Sequence, residues 1–575
     1  MKVSDFVITF LNKMGIDTCF TISGGGCIHL IDSLRKSNLD VICPHHEQVA
    51  LMASEGYFRM SNKMALNVVT TGPGSTNSMT GLLGMWLDSI PGITISGQVP
   101  LNQLSRGTGC RQIGDQEFDI VQIVKSMTKY ATMIENPNDI VEEVKKAYNI
   151  ALSGRPGPVW IDIPLDIQGA DISIRDEDFL NDFQRKITSS DSLNELTKMI
   201  AESKKPLVVV GSGIRSSNTY DRLNDFLIKT GIPVVTGPHS GIDCVDNTLK
   251  NYCGRVGILG QLTSNKIIQE CDLIIGLGTR LPVKMTGYNI KDFSPKSKKV
   301  FVDIDPNEMN KHKFDVDLKI HMDLRDFFHE ITIPKIDINE WVSYTSNLRQ
   351  EQEYTHSKHR HLKEYVSFYN LIDRASNVFK NLPIVTSNGT AHVIPLQMYK
   401  LNRHQRLFTN VGCASMGYGL PASIGVCVGN NKQDVICIEG DGSLMMNLQD
   451  LQTIAHYKLP IKLIVINNDG YISIKMTQTA FFNGKQFASG PDNGVTIPSY
   501  EKISNAFGIK YFKIDKNDEV ESLLSAAIKE QGPCFIEVFT HPNETHEPKV
   551  THKGIDKNGK IIPGALTDMK ITETF

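Results

Sequence analysis

The sequence predicts an α/β protein made of three consecutive doubly wound parallel-sheet domains. Short apolar stretches alternate with helical stretches through residues 1–170, and the alternation resumes at Pro206 and again near Leu371. The apolar stretches end at Gly, Pro or Asp, a pattern typical of parallel strands that are covered by helices. The length of 575 residues is sufficient for three or four domains, which agrees with three such units in series.

Composition and charge exclude several functional classes. The net charge is −3 and no basic block is present, so we expect no nucleic-acid partner. The apolar runs are far shorter than the roughly 20 residues that span a bilayer, so we expect no membrane partner. Asp5 and Lys13 interrupt the apolar N-terminal stretch, which favours an amphipathic helix over a signal peptide. The eleven cysteines form no C-x-x-C pair, which predicts reduced thiols in a cytoplasmic enzyme.

Two polar segments divide the chain. The first domain spans residues 1–170, and residues 171–190 form a charged linker. A central domain follows at 191–340, and the polar segment 341–369 indicates a second linker or an exposed helix. The third domain spans 370–575 and ends in a polar tail from Thr540, which we expect to lie on the surface.

Glu47 lies between a predicted strand and a predicted helix of the first domain. The strand is Val41 to Cys43, and the helix includes residues 50–60. A glutamate in a first helical turn is favoured by the helix dipole alone, so a structural role is one interpretation. A functional carboxyl group is the other. Further strands are predicted at Ala65 to Thr70, Ile93 to Ser96 and Val159 to Ile163.

The central domain begins with a partial dinucleotide fingerprint. Gly211-Ser212-Gly213 follows the strand that starts at Pro206, but Ser216 stands where the third glycine is required. A nicotinamide dehydrogenase is therefore an alternative with little support. Two more strands are predicted, at Cys271 to Gly278 and Lys299 to Asp305.

The third domain carries the most informative pattern. One apolar strand, Asp434 to Glu439, leads directly into a Gly-Asp-Gly-Ser turn that contains Asp441, and a second, Ile461 to Ile466, ends just before Asn468. Neighbouring parallel strands would bring these two side chains together, and their oxygens suit Mg²⁺. Backbone N–H groups in the turn would favour phosphate oxygens. The turn alone would also fit an ordinary strand-to-helix connection with a capping serine.

This pattern resembles the diphosphate and metal motif of thiamine diphosphate enzymes, which begins with G-D-G and closes with N-N. The resemblance extends over nearly the whole chain and is strongest to the acetolactate synthase group. It implies thiamine diphosphate as the cofactor and a Mg²⁺ ion held by Asp441, the Asn468 side chain and the Gly470 carbonyl. The implied diphosphate contacts are Gly440, Gly442, Ser443 and Tyr471.

The same resemblance gives Glu47 a catalytic role. His46-Glu47-Gln48 and the A-x-E-G-Y-x-R run at Ala53 to Arg59 are similar to the N-terminal domain of these enzymes. In the family, a glutamic acid bonds the pyrimidine N1′ so that the exocyclic nitrogen can remove the C2 proton of the thiazolium ring. Such a carboxyl group should be buried and its pKa should be raised.

Two more stretches of the third domain resemble cofactor-binding segments. In Val411 to Gly425, Met416 matches the bulky residue beneath the bent cofactor, and its N–H and the Ala414 carbonyl are implied to bind the pyrimidine. Met416 as a core residue is the alternative. Asn388, Gly389 and Thr390 resemble a second diphosphate loop, although the synthases have Gln in place of Thr390. A plain polar turn is the alternative there.

Two loops of the first domain are implied to border the substrate. The Gly-rich turn from Thr70 corresponds to a family loop at the mouth of the site, with Pro73 and Asn77 as candidate contacts. Gln116 corresponds to the Gln of the family's F-Q-E element near the reacting carbonyl, although Asp115 replaces the Phe.

The resemblance also implies a second cofactor and an assembly. In the acetolactate synthase group, the central domain binds FAD that takes no part in the main chemistry, so FAD is a possible cofactor and a vestigial site is the alternative. Glu47 and Asp441 lie in different domains, and one cofactor molecule must contact both. In the family, the two residues that contact one cofactor belong to different subunits. We therefore expect a homodimer or a homotetramer.

The expected reaction is decarboxylation of a 2-oxo acid, with pyruvate as donor, and transfer of the acyl-anion equivalent to a carbonyl acceptor. Acetolactate synthases carry Met and Trp after the N-N pair, whereas Ser473 and Thr477 stand at those positions here. This smaller and more polar wall predicts a different acceptor, such as a sugar. A simple decarboxylase or a lyase is the alternative. A silent binding protein would be expected to lack Glu47 or the metal pair.

Overall fold

The computed structural model describes residues 1–238, 241–351, 357–555 and 561–571. It contains three six-stranded sheets, and each is formed by consecutive strands of the chain. The strands within these sheets pair in parallel, and helices connect them. This arrangement confirms the predicted α/β class with three doubly wound domains.

The first sheet has the strand order β2-β1-β3-β4-β6-β5. Its four inner strands are buried along their length, as expected for a parallel sheet covered on both faces. The strands are β1 Thr18–Thr21, β2 Asp40–Ile42, β3 Leu66–Val69, β4 Gly92–Gln98, β5 Tyr130–Met133 and β6 Pro158–Pro164. The helices are α1 Val3–Lys13, α2 Ile28–Lys36, α3 Glu47–Ser61, α4 Pro73–Asn77, α5 Met79–Leu87, α6 Ile120–Val124, α7 Ile140–Leu152 and α8 Leu165–Gly169.

The central sheet has the order β12-β11-β10-β7-β8-β9. The chain reverses its direction of winding between β7 and β10, which creates a crevice at the carboxyl ends of these strands. The strands are β7 Pro206–Val210, β8 Val234–Thr236, β9 Tyr252–Arg255, β10 Leu273–Leu277, β11 Lys298–Asp303 and β12 Leu318–His321. The helices are α9 Ser192–Glu202, α10 Gly213–Ser216, α11 Tyr220–Thr230, α12 Leu262–Glu270, α13 Val283–Thr286, α14 Pro306–Asn310, α15 Leu324–Glu330 and α16 Asn339–Gln350.

The third sheet, β14-β13-β15-β16-β18-β17, repeats the relative strand order of the first. A short helix, α17 Ser357–Arg360, precedes this domain. The strands are β13 Ile384–Thr386, β14 Leu407–Phe408, β15 Val435–Gly440, β16 Ile461–Asn467, β17 Lys510–Ile514 and β18 Cys534–Phe539. The helices are α18 Phe368–Val378, α19 Thr390–Met398, α20 Gly419–Gly429, α21 Asp441–Leu444, α22 Leu451–His456, α23 Ile472–Phe481, α24 Tyr500–Ala506 and α25 Val520–Ala527.

Helices α3 and α20 join the first and third domains. A Cβ atom on Gly425 would lie 1.7 Å from the Ala53 carbonyl oxygen, and one on Gly56 would lie 2.2 Å from the Ala422 carbonyl oxygen. Both glycines therefore permit a backbone approach that no other residue would allow. Apolar side chains of both domains form one continuous hydrophobic core around this crossing.

The segment 341–369, predicted as a second linker or an exposed helix, begins with a helix that is partly buried. Helix α16 occupies much of it, and Trp341 and Leu348 are only 3% and 8% exposed because they pack into the central core. The sequence did not indicate this burial, because most of the other side chains of the segment are polar and face solvent. Residues 352–356 of the same segment lie outside the described residues.

The C-terminal tail packs against the central domain. Its strands β19 Lys549–Val550 and β22 Met569–Lys570 pair, as do β20 His552–Ile555 and β21 Ile561–Pro563. Leu566 is buried in the central core, and the Val550 N–H donates to the Ile258 carbonyl at 2.9 Å. Parts of the tail expected at the surface, 556–560 and 572–575, lie outside the described residues. In the described ranges, every helix is too short or too polar to cross a membrane.

Candidate active site

Asp441 and Asn468 meet at the carboxyl edge of the third sheet. Strands β15 and β16 are paired neighbours, and the two residues follow their last positions. The buried Asp441 carboxylate accepts N–H groups of Asn468 at 3.1 Å and Gly470 at 3.0 Å on one oxygen, and that of Gly442 at 2.6 Å on the other. Burial raises the pKa of Asp441 to about 6 even though these N–H groups oppose the increase.

The Asn468 side chain has an unusual environment. Its Oδ1 is buried and has no hydrogen-bond partner among the described residues. A buried amide oxygen without a partner is costly in a folded protein, and an ion would satisfy it. The Gly470 carbonyl accepts one N–H, from Ile472 at 3.1 Å, and so retains a free lone pair. One carboxylate, one amide oxygen and one carbonyl fit the donor set of Mg²⁺.

The turn after β15 forms the one-turn helix α21. Its two glycines differ in how closely neighbouring atoms approach them. A Cβ atom on Gly442 would lie 2.2 Å from the Tyr471 ring, whereas one on Gly440 would lie no closer than 3.7 Å to a neighbouring atom. The Ser443 hydroxyl accepts the Gly417 N–H at 2.8 Å and lies 3.0 Å from the Ser387 hydroxyl. These contacts bring the two predicted diphosphate loops together.

The predicted pyrimidine-binding segment lies over this edge. The Asn388 side chain reaches the Ala414 carbonyl at 3.4 Å, and both Gly389 and Ala414 have positive φ angles, 57° and 52°. Met416 is half-buried and is not part of a hydrophobic core cluster among the described residues. The core role that was the alternative is therefore not supported, and the contact with the cofactor stays a prediction.

Glu47 is the first residue of α3 and is 9% exposed. His46 caps the helix by accepting the Gln48 N–H. The Asn77 side chain donates to one Glu47 carboxyl oxygen at 3.0 Å, and the other oxygen lies beside Gly74, where a Cβ atom would be 3.4 Å away. The predicted loop of Pro73 and Asn77, which forms α4, thus holds the predicted catalytic carboxyl group.

Gln116 lies on a neighbouring loop. It has a φ of 62°, which is uncommon for a residue with a side chain and often marks a functional position. Its carbonyl packs on Gly72, where a Cβ atom would lie 2.4 Å away. The structure therefore joins Gln116 to the Gly-rich turn, and its side chain is exposed.

Contacts between the first and third domains pass close to Glu47 without including it. The Gln48 side chain donates to Asn447 at 3.3 Å, and Asn447 donates to the Gly417 carbonyl at 2.8 Å. The hydrogen bonds of the Glu47 side chain stay within the first domain across the described ranges. One chain therefore gathers two groups of predicted residues, one around Glu47 and one around Asp441.

Three residues near these groups were missed by sequence reasoning. The Tyr500 hydroxyl donates to the Asp441 carbonyl, Asn447 links the two domains, and His546 Nε2 lies 3.1 Å from Thr390 Oγ1. Each belongs to a segment remote in sequence from its partner. No local pattern around these residues could have indicated the contact.

A groove runs between the first and central domains at the crevice between β7 and β10, and one of its cavities extends to Arg406 and Phe408 of the third domain. It consists of two adjoining cavities of about 300 and 360 Å³ that share Phe58, Ser89, Ser212 and Arg280 as lining residues. A Cβ atom on Gly211 would lie 2.2 Å from the Gly278 carbonyl oxygen. The glycines of the partial fingerprint thus permit close backbone packing beneath this groove.

Comparisons with known proteins agree with this architecture. Three family models match successive parts of the chain: the N-terminal TPP binding domain of thiamine pyrophosphate enzymes at residues 1–123, the central domain at 193–331 and the C-terminal TPP binding domain at 387–538.

Curated relatives match over nearly their full length. The large subunit of acetolactate synthase isozyme 2 from Escherichia coli is 30% identical, over 96% of this chain and 97% of the relative. The isozyme 1 large subunit from the same organism is 31% identical over 95% of each chain. The acetolactate synthase large subunit of Lactococcus lactis is 29% identical over 95% and 94%. The chain therefore belongs to the thiamine pyrophosphate enzyme family and, within it, to the acetolactate synthase-like group.

Proposed function

We propose that this chain decarboxylates a 2-oxo acid, with pyruvate as donor, and transfers the acyl-anion equivalent to a carbonyl acceptor. Family membership supports thiamine diphosphate dependence and acetolactate synthase-like chemistry. The observation that carries the proposal is the buried Glu47 carboxyl group, which Asn77 holds by one oxygen. The helix dipole would also favour a carboxylate in this first turn, and the Glu47 variant described below distinguishes that structural role from the catalytic one.

The residues around Asp441 would hold the cofactor. When bound, thiamine diphosphate supplies the electron sink that a 2-oxo acid needs to lose CO₂. Asp441, Asn468 and the Gly470 carbonyl would hold Mg²⁺, and the Ala414 carbonyl and the Met416 N–H would hold the pyrimidine. The proposed diphosphate contacts are Asn388, Gly389, Thr390, Gly440, Gly442, Ser443 and Tyr471.

Glu47 would exchange a proton with the pyrimidine N1′ through its carboxyl group. Asn77 fixes the orientation of that group by donating to one of its oxygens, and Pro73 begins the short helix that presents Asn77. Gln116 would contact the reacting carbonyl from the neighbouring loop. Its exposure in the single chain is consistent with a site that is completed by a second subunit.

Exposed apolar side chains surround both groups of residues. Ile113 and Phe118 flank Gln116 and are 52% and 39% exposed, and Met445 and Met446 follow Ser443 and are 41% and 46% exposed. Exposed apolar side chains concentrated at a predicted active site favour a surface that another subunit covers. They support the proposed homodimer or homotetramer with active sites between subunits.

The groove between the first and central domains is the proposed FAD site. Its position at the crevice of a doubly wound sheet is typical of nucleotide binding. Arg280 and Arg215 line it and offer positive charge for a diphosphate. A yellow purified protein that releases its coloured compound on denaturation would support FAD. A colourless protein would favour the vestigial alternative.

The central test replaces Glu47 by Gln, which keeps size and removes the acidic proton. We expect CO₂ release from pyruvate to fall by at least about 100-fold. The rise in thermal midpoint on addition of thiamine diphosphate and Mg²⁺ should persist. Glu142, an exposed glutamate in the first turn of α7, provides the control Glu142→Gln. Wild-type turnover in Glu47→Gln would contradict the proposal.

A product analysis separates transfer from simple decarboxylation. The enzyme is incubated with pyruvate and a panel of pyruvate, 2-oxobutyrate, aldehydes and keto sugars, and products are identified by mass. We expect a product that contains the acyl unit and an acceptor. CO₂ release that yields only free aldehyde would favour the decarboxylase alternative.

A further inference from the structure

The C-terminal tail brings a histidine to the predicted site. His546 Nε2 lies 3.1 Å from Thr390 Oγ1, and the same Thr390 oxygen lies 3.3 Å from Ser473 Oγ. We call these three residues the polar row. Thr390 is itself a proposed diphosphate contact, and Ser473 lies two residues after another, Tyr471, so the row borders the proposed cofactor.

Two buried carboxylates fix the position of His546. Glu544 accepts the Ser367 hydroxyl at 2.6 Å and the Phe368 N–H at 2.8 Å. Glu547 contacts His359 Nε2 at 2.7 Å and Lys358 Nζ at 2.6 Å. Because the tail is anchored at Glu544 and again at Glu547, on either side of His546, this histidine is held against Thr390.

All three side chains of the row can both donate and accept hydrogen bonds. Burial, followed by the positive charges of Lys549 and Lys284, lowers the pKa of His546 to about 3. Its imidazole is therefore neutral near pH 7, with one N–H donor and one acceptor nitrogen. The hydroxyl groups of Thr390 and Ser473 have the same dual capacity.

We propose that the polar row recognises a hydroxylated carbonyl acceptor, such as a keto sugar or a hydroxyaldehyde, by hydrogen bonds to the hydroxyl groups beside its carbonyl. This inference rests on the proposed function. A sugar hydroxyl also donates and accepts, so it matches each member of the row. The chain has hydroxyl side chains at 390 and 473, where acetolactate synthases have Gln and Met, and His546 extends this polar wall from the tail.

The test compares two acceptors of equal carbon number, glyceraldehyde and propanal, with pyruvate as donor. In His546→Ala we expect the ratio of kcat/KM for glyceraldehyde to that for propanal to fall about tenfold, since a hydrogen bond to the acceptor is lost. His546→Gln should retain part of the preference because it keeps a donor. CO₂ release from pyruvate and the kcat/KM for propanal should each change less than the kcat/KM for glyceraldehyde. His552→Ala, which changes an exposed histidine in the same tail, is the matched control.

Other outcomes overturn the inference. Equal losses with both acceptors would show that His546 only supports the fold of the site, and loss of CO₂ release with an intact thermal shift would place it in the donor step. If His546→Ala does not fold, the ratio of kcat/KM for glyceraldehyde to that for propanal is measured in His546→Gln instead. An unchanged ratio in that variant would overturn the inference. A wild-type protein that releases no CO₂ from 2-oxo acids would instead overturn the proposed function itself.

Discussion

Gly442 is a residue at which the absence of a side chain determines the shape of the site. It lies in the one-turn helix after β15, and a Cβ atom there would meet the Tyr471 ring at 2.2 Å. At Gly440, two residues earlier, a Cβ atom would make only ordinary van der Waals contacts, the nearest at 3.7 Å, and the φ of −85° is one that any residue adopts. The two glycines of one motif thus carry different constraints.

We predict that Gly442→Ala weakens thiamine diphosphate binding by at least about tenfold, because Tyr471 must move out of its contact with the turn. The measurement is the cofactor concentration that gives a half-maximal thermal shift in the presence of Mg²⁺. Gly440→Ala is the control, because it adds the same methyl group at a position that is not crowded. The thermal midpoint of this variant without cofactor should stay near the wild-type value. Equal affinity in Gly442→Ala and wild type would show that Tyr471 does not shape the site.

His359 shows how an element can be held by one buried cluster. It lies in the short helix α17 between Glu544 and Glu547 of the tail, at 3.2 and 2.7 Å, and its ring packs on Tyr369. Burial alone would lower the pKa of His359, but its hydrogen bonds to both glutamates outweigh burial and raise the pKa above its usual 6.5. Lys358 also faces this cluster through Glu547.

The raised pKa of His359 predicts that its contribution to anchoring the tail is fully present just below pH 6.5 and is lost at higher pH. A histidine with a raised folded-state pKa stabilises the fold fully below its unfolded pKa and loses this contribution as pH rises through the folded pKa. Hydrogen-exchange protection of the Phe368 N–H, which donates to Glu544, should therefore fall as pH rises above 6.5, after correction for intrinsic exchange. His359→Gln should abolish this dependence. Protection that is constant or increases over this range would contradict the prediction.

The sequence predicted those elements that are marked by a local pattern of neighbouring residues. Strands β15 and β16 and the residues at their ends followed from apolar runs and a dense glycine motif. The segment of helix α16 was predicted as a linker or an exposed helix, and its partial burial was not predicted because its few buried residues, such as Trp341, are separated by polar ones. The contact between His546 and Thr390 was not predictable either, because it depends on how a tail 156 residues away folds back.

The first and third domains share one strand order, 2-1-3-4-6-5 in relative numbering. In each domain the predicted site residues follow the carboxyl end of a strand. Glu47 comes after β2, and Asp441 comes directly after β15. Within one chain, α3 and α20 pack these domains together, while the side-chain hydrogen bonds of Glu47 remain in the first domain across the described ranges. Such a molecule can complete its site with a second copy related by two-fold symmetry.

Subunit mixing tests this arrangement at the scale of the whole molecule. Glu47→Gln and Asp441→Ala proteins, each inactive alone, are mixed under conditions that exchange subunits. If each site takes Glu47 from one subunit and Asp441 from the other, a mixed dimer has one site with both wild-type residues. Random pairing makes about half of the dimers mixed, so activity should recover to about a quarter of the wild-type value. Native mass spectrometry verifies the mixed species, and mixed dimers without activity would place each site within a single chain.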